Sequence, residues 1–139
     1  MKIMAIDYGD AHTGIAVSDA LLTLAGFTTV ITAYRPEAVA AEVQNLIAEH
    51  GVTELVLGHP LNMDGTRGPR AEKAEGFAAL LRETTGLPVR LWDERRTTVD
   101  AHYILMAGGK NAKQRKKTVD AVAASLMLEG YLTFKKRQK

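Results

Sequence analysis

Apolar residues follow two rhythms along this chain, short continuous runs and helical stripes. Residues 2–7, 14–19 and 27–33 form three β-prone runs in the first quarter: Lys2-Ile3-Met4-Ala5-Ile6-Asp7, Gly14-Ile15-Ala16-Val17-Ser18-Asp19 and Phe27-Thr28-Thr29-Val30-Ile31-Thr32-Ala33. The short link between the first two predicts antiparallel pairing, and the three together predict a meander. Pro36 then opens a helix on which Val39, Val43, Leu46 and Ile47 share one face, and Gly51 ends it. Glu54-Leu55-Val56-Leu57-Gly58 is a continuous apolar run of the kind buried on both faces of a parallel sheet.

A polar segment, His59 to Pro69, leads into a second helix over about 70–85, with Ala74, Phe77, Ala78 and Leu81 on one face. Gly86 and Pro88 stop it, and Val89-Arg90-Leu91-Trp92 is the fifth strand. Thr97 or Thr98 is placed to cap a helix reaching about Ala107, which Gly108-Gly109 breaks. The basic stretch from 110 to 117 reads as a mobile connection, and Thr118 as the cap of a last helix ending near Thr133. The order β-β-β-α-β-α-β-α-α predicts an α/β fold: a five-stranded mixed sheet, its first three strands an antiparallel meander and its last two parallel, flanked by helices.

Composition adds little to this and removes several alternatives. At 139 residues, 46% hydrophobic and 24% charged, the chain is expected to form one soluble globular domain spanning 1–139. The absence of cysteine excludes disulfides and thiolate chemistry. No signal-like apolar segment follows Lys2, and no run is long enough to span a bilayer, so a cytoplasmic protein without membrane association is expected. Charge is more informative: the net value is only +2, yet nine of the 18 Lys and Arg residues lie between 110 and 139, against two acids there. That bias suggests a polyanionic partner, although a basic run is also the ordinary solvated surface of many proteins.

In sheets with β-α crossovers, ligands gather outside the carboxyl ends of the strands. The first strand ends at Asp7, the fourth runs into Gly58-His59-Pro60, and the fifth ends in Asp93-Glu94-Arg95-Arg96. Asp120 lies in the first turn expected for the last helix, where complementing the helix dipole would explain it. Asp64-Gly65 reads as turn chemistry, and Asp93 and Glu94 could pair with the arginines after them. Asp7 is hardest to explain this way, because its neighbours are apolar and a carboxylate there is costly to desolvate without a cation or donors. Were Asp7, Glu94 and Asp120 to converge, their hard oxygens would suit Mg²⁺ or Mn²⁺. Such ions activate water and stabilise the leaving oxygen of a phosphodiester, and nearby lysines and arginines, including Lys113, Arg115, Lys116 and Lys117, would hold the polyanionic backbone. The four histidines show no zinc spacing.

Four blocks then carry a specific resemblance: Ala5-Ile6-Asp7-Tyr8-Gly9 with Gly14-Ile15-Ala16-Val17-Ser18-Asp19; the run from Gly58 through Asn62-Met63-Asp64-Gly65-Thr66-Arg67-Gly68-Pro69-Arg70 to Ala71; Asp93-Glu94-Arg95-Arg96-Thr97-Thr98; and Asp120-Ala121-Val122-Ala123-Ala124 through Glu129-Gly130-Tyr131-Leu132. The chain resembles the YqgF/RuvX family of the RNase H-like superfamily. The resemblance implies an RNase H-like fold and divalent-metal nuclease chemistry that trims the 5′ end of pre-16S ribosomal RNA, with Holliday-junction cleavage proposed as well. It further implies Asp7, Glu94 and Asp120 as the catalytic metal ligands, and Arg95 with the 62–70 loop, including Asn62, Arg67 and Arg70, as substrate-facing. One departure stands out. The family's first turn usually carries basic residues before its second glycine, whereas this chain has Asp10-Ala11-His12-Thr13, which puts a phosphate contact from that turn in question.

Two rivals share these features. An actin- or sugar-kinase-like ATPase also begins with a strand and an Asp-x-Gly turn, but closes two such domains over its nucleotide. A non-catalytic RNA-binding module of ribosome assembly would use the same basic segments.

Overall fold

A computed structural model of the chain describes residues 1–22, 25–93 and 112–137, and in the last helix describes side chains from residue 121 onward. Five strands, β1 (Ile3–Asp7), β2 (His12–Ser18), β3 (Ala25–Thr32), β4 (Glu54–His59) and β5 (Val89–Asp93), form one sheet in the order β3-β2-β1-β4-β5. β1 pairs antiparallel with β2 and parallel with β4, β2 pairs antiparallel with β3, and β4 pairs parallel with β5. The expected meander and parallel pair are both present. β1 lies at the centre, which is why its run is apolar without alternation: both of its faces are covered.

Those two faces build two cores. Met4, Ile6, Ile15, Val17, Leu55 and Leu57 pack beneath α1 (Pro36–His50) and α2 (Pro69–Thr85), meeting Val39, Val43, Phe77 and Leu81. Each helix has proline in its first turn and ends on a left-handed glycine, Gly51 and Gly86, both with φ of 70°. The opposite face, Ile3, Ala5, Ala16, Val56 and Trp92, receives Ala124, Met127, Leu128, Tyr131 and Leu132 of α3 (Ala112–Arg137). Small residues at Ala5, Ala16 and Ala124 allow close approach of helix and sheet, and all three are fully buried or nearly so.

The last helix starts earlier than the sequence suggests. It begins at Ala112, so Thr118 does not cap it, and the segment expected to be mobile supplies its first turns. Lys113, Gln114, Arg115, Lys116 and Lys117 are all good helix formers, and in the 26-residue helix the buried stripe further along outweighs their polarity. The helix expected from Thr97 or Thr98 to about Ala107 lies outside the described residues. None of the described helices is long and apolar enough to cross a membrane.

The far end of α3 is pinned to the start of β4. The Tyr131 hydroxyl donates to Glu54, whose other oxygen accepts from Lys135 Nζ at 2.7 Å, while the Trp92 ring meets Tyr131 edge-on at 5.5 Å. Burial pushes the Glu54 carboxyl up, but the bonds from Lys135 and Tyr131 outweigh it and hold it below the usual range. A carboxyl depressed on folding contributes stability above its unfolded pKa of about 4.3 and loses it as pH falls through the folded value. Glu54→Gln is therefore expected to lower the unfolding midpoint at pH 7, with the gap from wild type closing below about pH 4. Thermal melts across pH 3–7 check this, and a gap that stays constant would contradict it.

Candidate active site

Three strands deliver their carboxyl ends to one edge of the sheet, and Asp7 sits at the tip of the central one. The pleat puts successive side chains on opposite faces, so Asp7 shares the α3 face with Ile3 and Ala5, whereas Tyr8 shares the α1/α2 face with Met4 and Ile6. Across the antiparallel ladder Asp7 faces Gly14. On the other side the parallel register pairs Ile6 with Leu57, so the next residue, Gly58, flanks Asp7. The carboxylate thus stands between two residues that have no side chain.

The direction of α3 matters here. Tyr131 reaches Glu54, and Glu54 lies beside Ile3 at the start of β1. Ala124 belongs to the same buried cluster as Ala5, so α3 runs antiparallel to β1. One helical turn back from Ala124 is Asp120, a displacement of about 6 Å along the axis. Two residues on from Ala5 is Asp7, a displacement of about 6.6 Å in the same direction. Along the helix axis, position 120 therefore lies toward the Asp7 end of the sheet. It is the ninth residue of the helix rather than part of its first turn, so the dipole explanation does not apply to it. Glu94 and Arg95 follow directly after β5 and lie outside the described residues, as do the side chains of Asp120, Lys113, Arg115, Lys116 and Lys117.

On the other side of Asp7 a cleft of roughly 420 Å³ opens between the β1–β2 turn, the end of β4 and the start of α2. Asp7, Tyr8, Asp10, Gly58, Arg70 and Lys73 are among the residues that line it. The Tyr8 ring stacks on Phe77 with centroids 4.0 Å apart, and burial pushes its phenol up, leaving a neutral hydroxyl against the cleft. Lys73 Nζ donates to Asp10 at 2.5 Å.

The loop after β4 is held by its own side chains. Thr66 donates from both its amide and its hydroxyl to Asp64 Oδ1, at 3.0 and 2.6 Å, and its hydroxyl accepts from Asn62 Nδ2 at 2.9 Å. Gly65, with φ of 88°, completes the turn expected of Asp64-Gly65. Arg67 grips Glu75 of α2 through both Nε, at 2.7 Å, and Nη2, and His59 Nε2 lies 2.7 Å from the same carboxylate. The bond from Arg67 and then that from His59 hold the Glu75 carboxyl down at about 2. Of the substrate-facing residues expected from sequence, Arg70 lines the cleft, whereas Asn62 and Arg67 are engaged in shaping the loop. Sequence reading passed over Lys73 and Glu75. Lys73 lies one turn after Arg70 on the same helix, which is a usable signal. Glu75 sits eight residues from Arg67, and no local pattern announces that bond.

A mixed sheet in this order, with an acid at the end of its central strand and a long helix crossing the face that acid occupies, is the architecture of the RNase H-like nucleases. RuvC from T. thermophilus, in a complex with a Holliday junction substrate, shares it at a TM-score of 0.64 and 18% identity, over 97% of this chain and 96% of that one. The chain itself belongs to the RuvX family, described as Holliday junction resolvase, which residues 1–134 match, and it is a nuclease. It is 42% identical to a protein of Halothermothrix orenii, over 99% of this chain and 98% of that protein, and 42% identical to one of Carboxydothermus hydrogenoformans, over 99% of each. Both of those relatives carry the name "Putative pre-16S rRNA nuclease".

Proposed function

We propose that this chain is a divalent-metal-dependent nuclease, a single domain over 1–139, that processes the 5′ end of pre-16S ribosomal RNA in the cytoplasm. The observation that carries the reading is the setting of Asp7, a carboxylate at the tip of the central strand, flanked by Gly14 and Gly58 and facing the helix that bears Asp120. In this reading Asp7, Glu94 and Asp120 hold the metal. Their donor atoms are all carboxylate oxygens, which fit Mg²⁺ or Mn²⁺ and not a soft or zinc-type site. Bound there, the metal supplies an activated water and charge stabilisation at the leaving oxygen.

The chain's own groups do the rest. The cleft lined by Asp7, Gly58, Arg70 and Lys73 is where a phosphodiester approaches Asp7. Arg70, Arg95 and the basic first turns of α3, with Lys113, Arg115, Lys116 and Lys117, hold the strand electrostatically. Asn62 and Arg67 act by fixing the loop that borders the cleft. The names of the two relatives support ribosomal RNA as substrate, and the family's description supports branched DNA as the second reading.

Incubating the purified protein with 5′-labelled precursor RNA and, separately, with a four-way DNA junction, in Mg²⁺ or Mn²⁺, separates the two. Cleavage of the precursor in its 5′ flank, faster than any junction cleavage, is the expected result. Preferential cleavage of the junction would replace this substrate with branched DNA, and binding without cleavage of either would leave an RNA-binding module.

A further inference from the structure

The first turn of this chain lacks lysine and arginine, yet the cleft beside it has one of each, both from α2. Lys73 and Arg70 line the same cleft as Asp7. Like charges repel there, and Arg70 makes no ion pair or hydrogen bond among the described residues. Lys73 does have a partner, Asp10, but that pair is on the surface: the Lys73 side chain is 55% exposed and that of Asp10 is 87% exposed. Exposed pairs of this kind are worth about 0–1 kcal/mol, so a better anion displaces the carboxylate easily. A phosphate presents more acceptor oxygens, and it would meet Arg70 and Lys73 together.

We infer that Arg70 and Lys73 form a subsite for a backbone phosphate of the nucleic-acid strand, and that Asp10 competes with that phosphate for Lys73. Asp10 is then a built-in brake on substrate affinity, and Lys73 exchanges Asp10 for the strand on binding. This rests on the nuclease reading for the nature of the strand, and goes beyond it in assigning Lys73 and Asp10 opposed roles. Tyr8, stacked on Phe77, gives the cleft a fixed wall beside the lysine.

Binding of a fluorescent 5′-hydroxyl RNA oligonucleotide, with divalent metal chelated, tests the subsite without cleavage. Asp10→Asn is expected to tighten binding by about two- to fivefold, the effect of freeing one exposed pair. Lys73→Gln is expected to weaken it and to reduce the slope of log K against log salt by about one. In the Lys73→Gln background, Asp10→Asn should add almost nothing, and Lys73→Arg should restore most of the wild-type affinity. Unchanged binding by Lys73→Gln, or an Asp10→Asn gain that persists without Lys73, would overturn the proposal, the latter by reducing it to general electrostatics. The readout is independent of catalysis. A protein that binds in this way but cleaves nothing would sink the nuclease reading and leave the subsite standing.

Discussion

Asp7→Asn is expected to reduce cleavage of any substrate the wild type cuts by at least about a hundredfold, the scale on which single groups that stabilise developing charge act. It should do so without loss of fold. The substitution keeps the shape of the side chain, and removes a charge that is costly to desolvate at the end of a strand whose other residues are fully buried. The unfolding midpoint should hold steady or rise, as is common where a catalytic group is kept at the expense of stability. Rates measured beside thermal melts decide the point. Undiminished cleavage by the variant would mean that another protein in the preparation, or another set of residues, is responsible.

Gly9→Ala is expected to damage both fold and activity, for a steric reason that no charge argument reaches. A Cβ at position 9 would lie 2.3 Å from the carbonyl oxygen of His12. That oxygen belongs to the backbone at the start of β2, and β2 is fixed by pairing on both sides, Asp7 with Gly14 and His12 with Thr32. The turn must therefore open, at an overpacking cost of about 1–3 kcal/mol. For a chain of this size that corresponds to a drop in midpoint of roughly 3–10 °C. Asp7 is two residues away, so its carboxylate moves too, and a displacement near 1 Å is enough to cost about a hundredfold in rate. Melting and cleavage measured on one preparation check this. A variant with wild-type midpoint and rate would show that the turn tolerates a side chain after all.

The sheet was legible because burial leaves its mark on strands. The unbroken apolar runs at Ile3–Ile6 and Leu55–Leu57 belong to neighbouring strands covered on both faces, and the β-branched run at 27–33 is largely the edge strand of the meander. The stripes of Val39 and Val43, and of Phe77 and Leu81, reappear as the buried faces of α1 and α2. The start of α3 was not legible. Its first turns carry a dense run of lysine and arginine, which in sequence looks like a solvated connection although each residue favours helix. That error had a consequence for the site, since it placed Asp120 in a first turn where the helix dipole would account for it. The Arg67–Glu75–His59 network was invisible for another reason. It joins a strand end, a loop and a helix, and only the fold brings such residues together. Asp7 stood out from the beginning because a charge after an apolar run violates the local rule that governs the rest of the strand.

Nuclease chemistry in this chain depends on Asp7 sharing a metal with Glu94 and Asp120. A crystal structure of the protein soaked in Mn²⁺, with the ion located by its anomalous signal, is the most direct measurement. The prediction is a manganese ion bound by oxygens of Asp7 and at least one of the other two acids at about 2.0–2.2 Å. Carboxylates lying more than about 8 Å apart, with no ion between them, would contradict it.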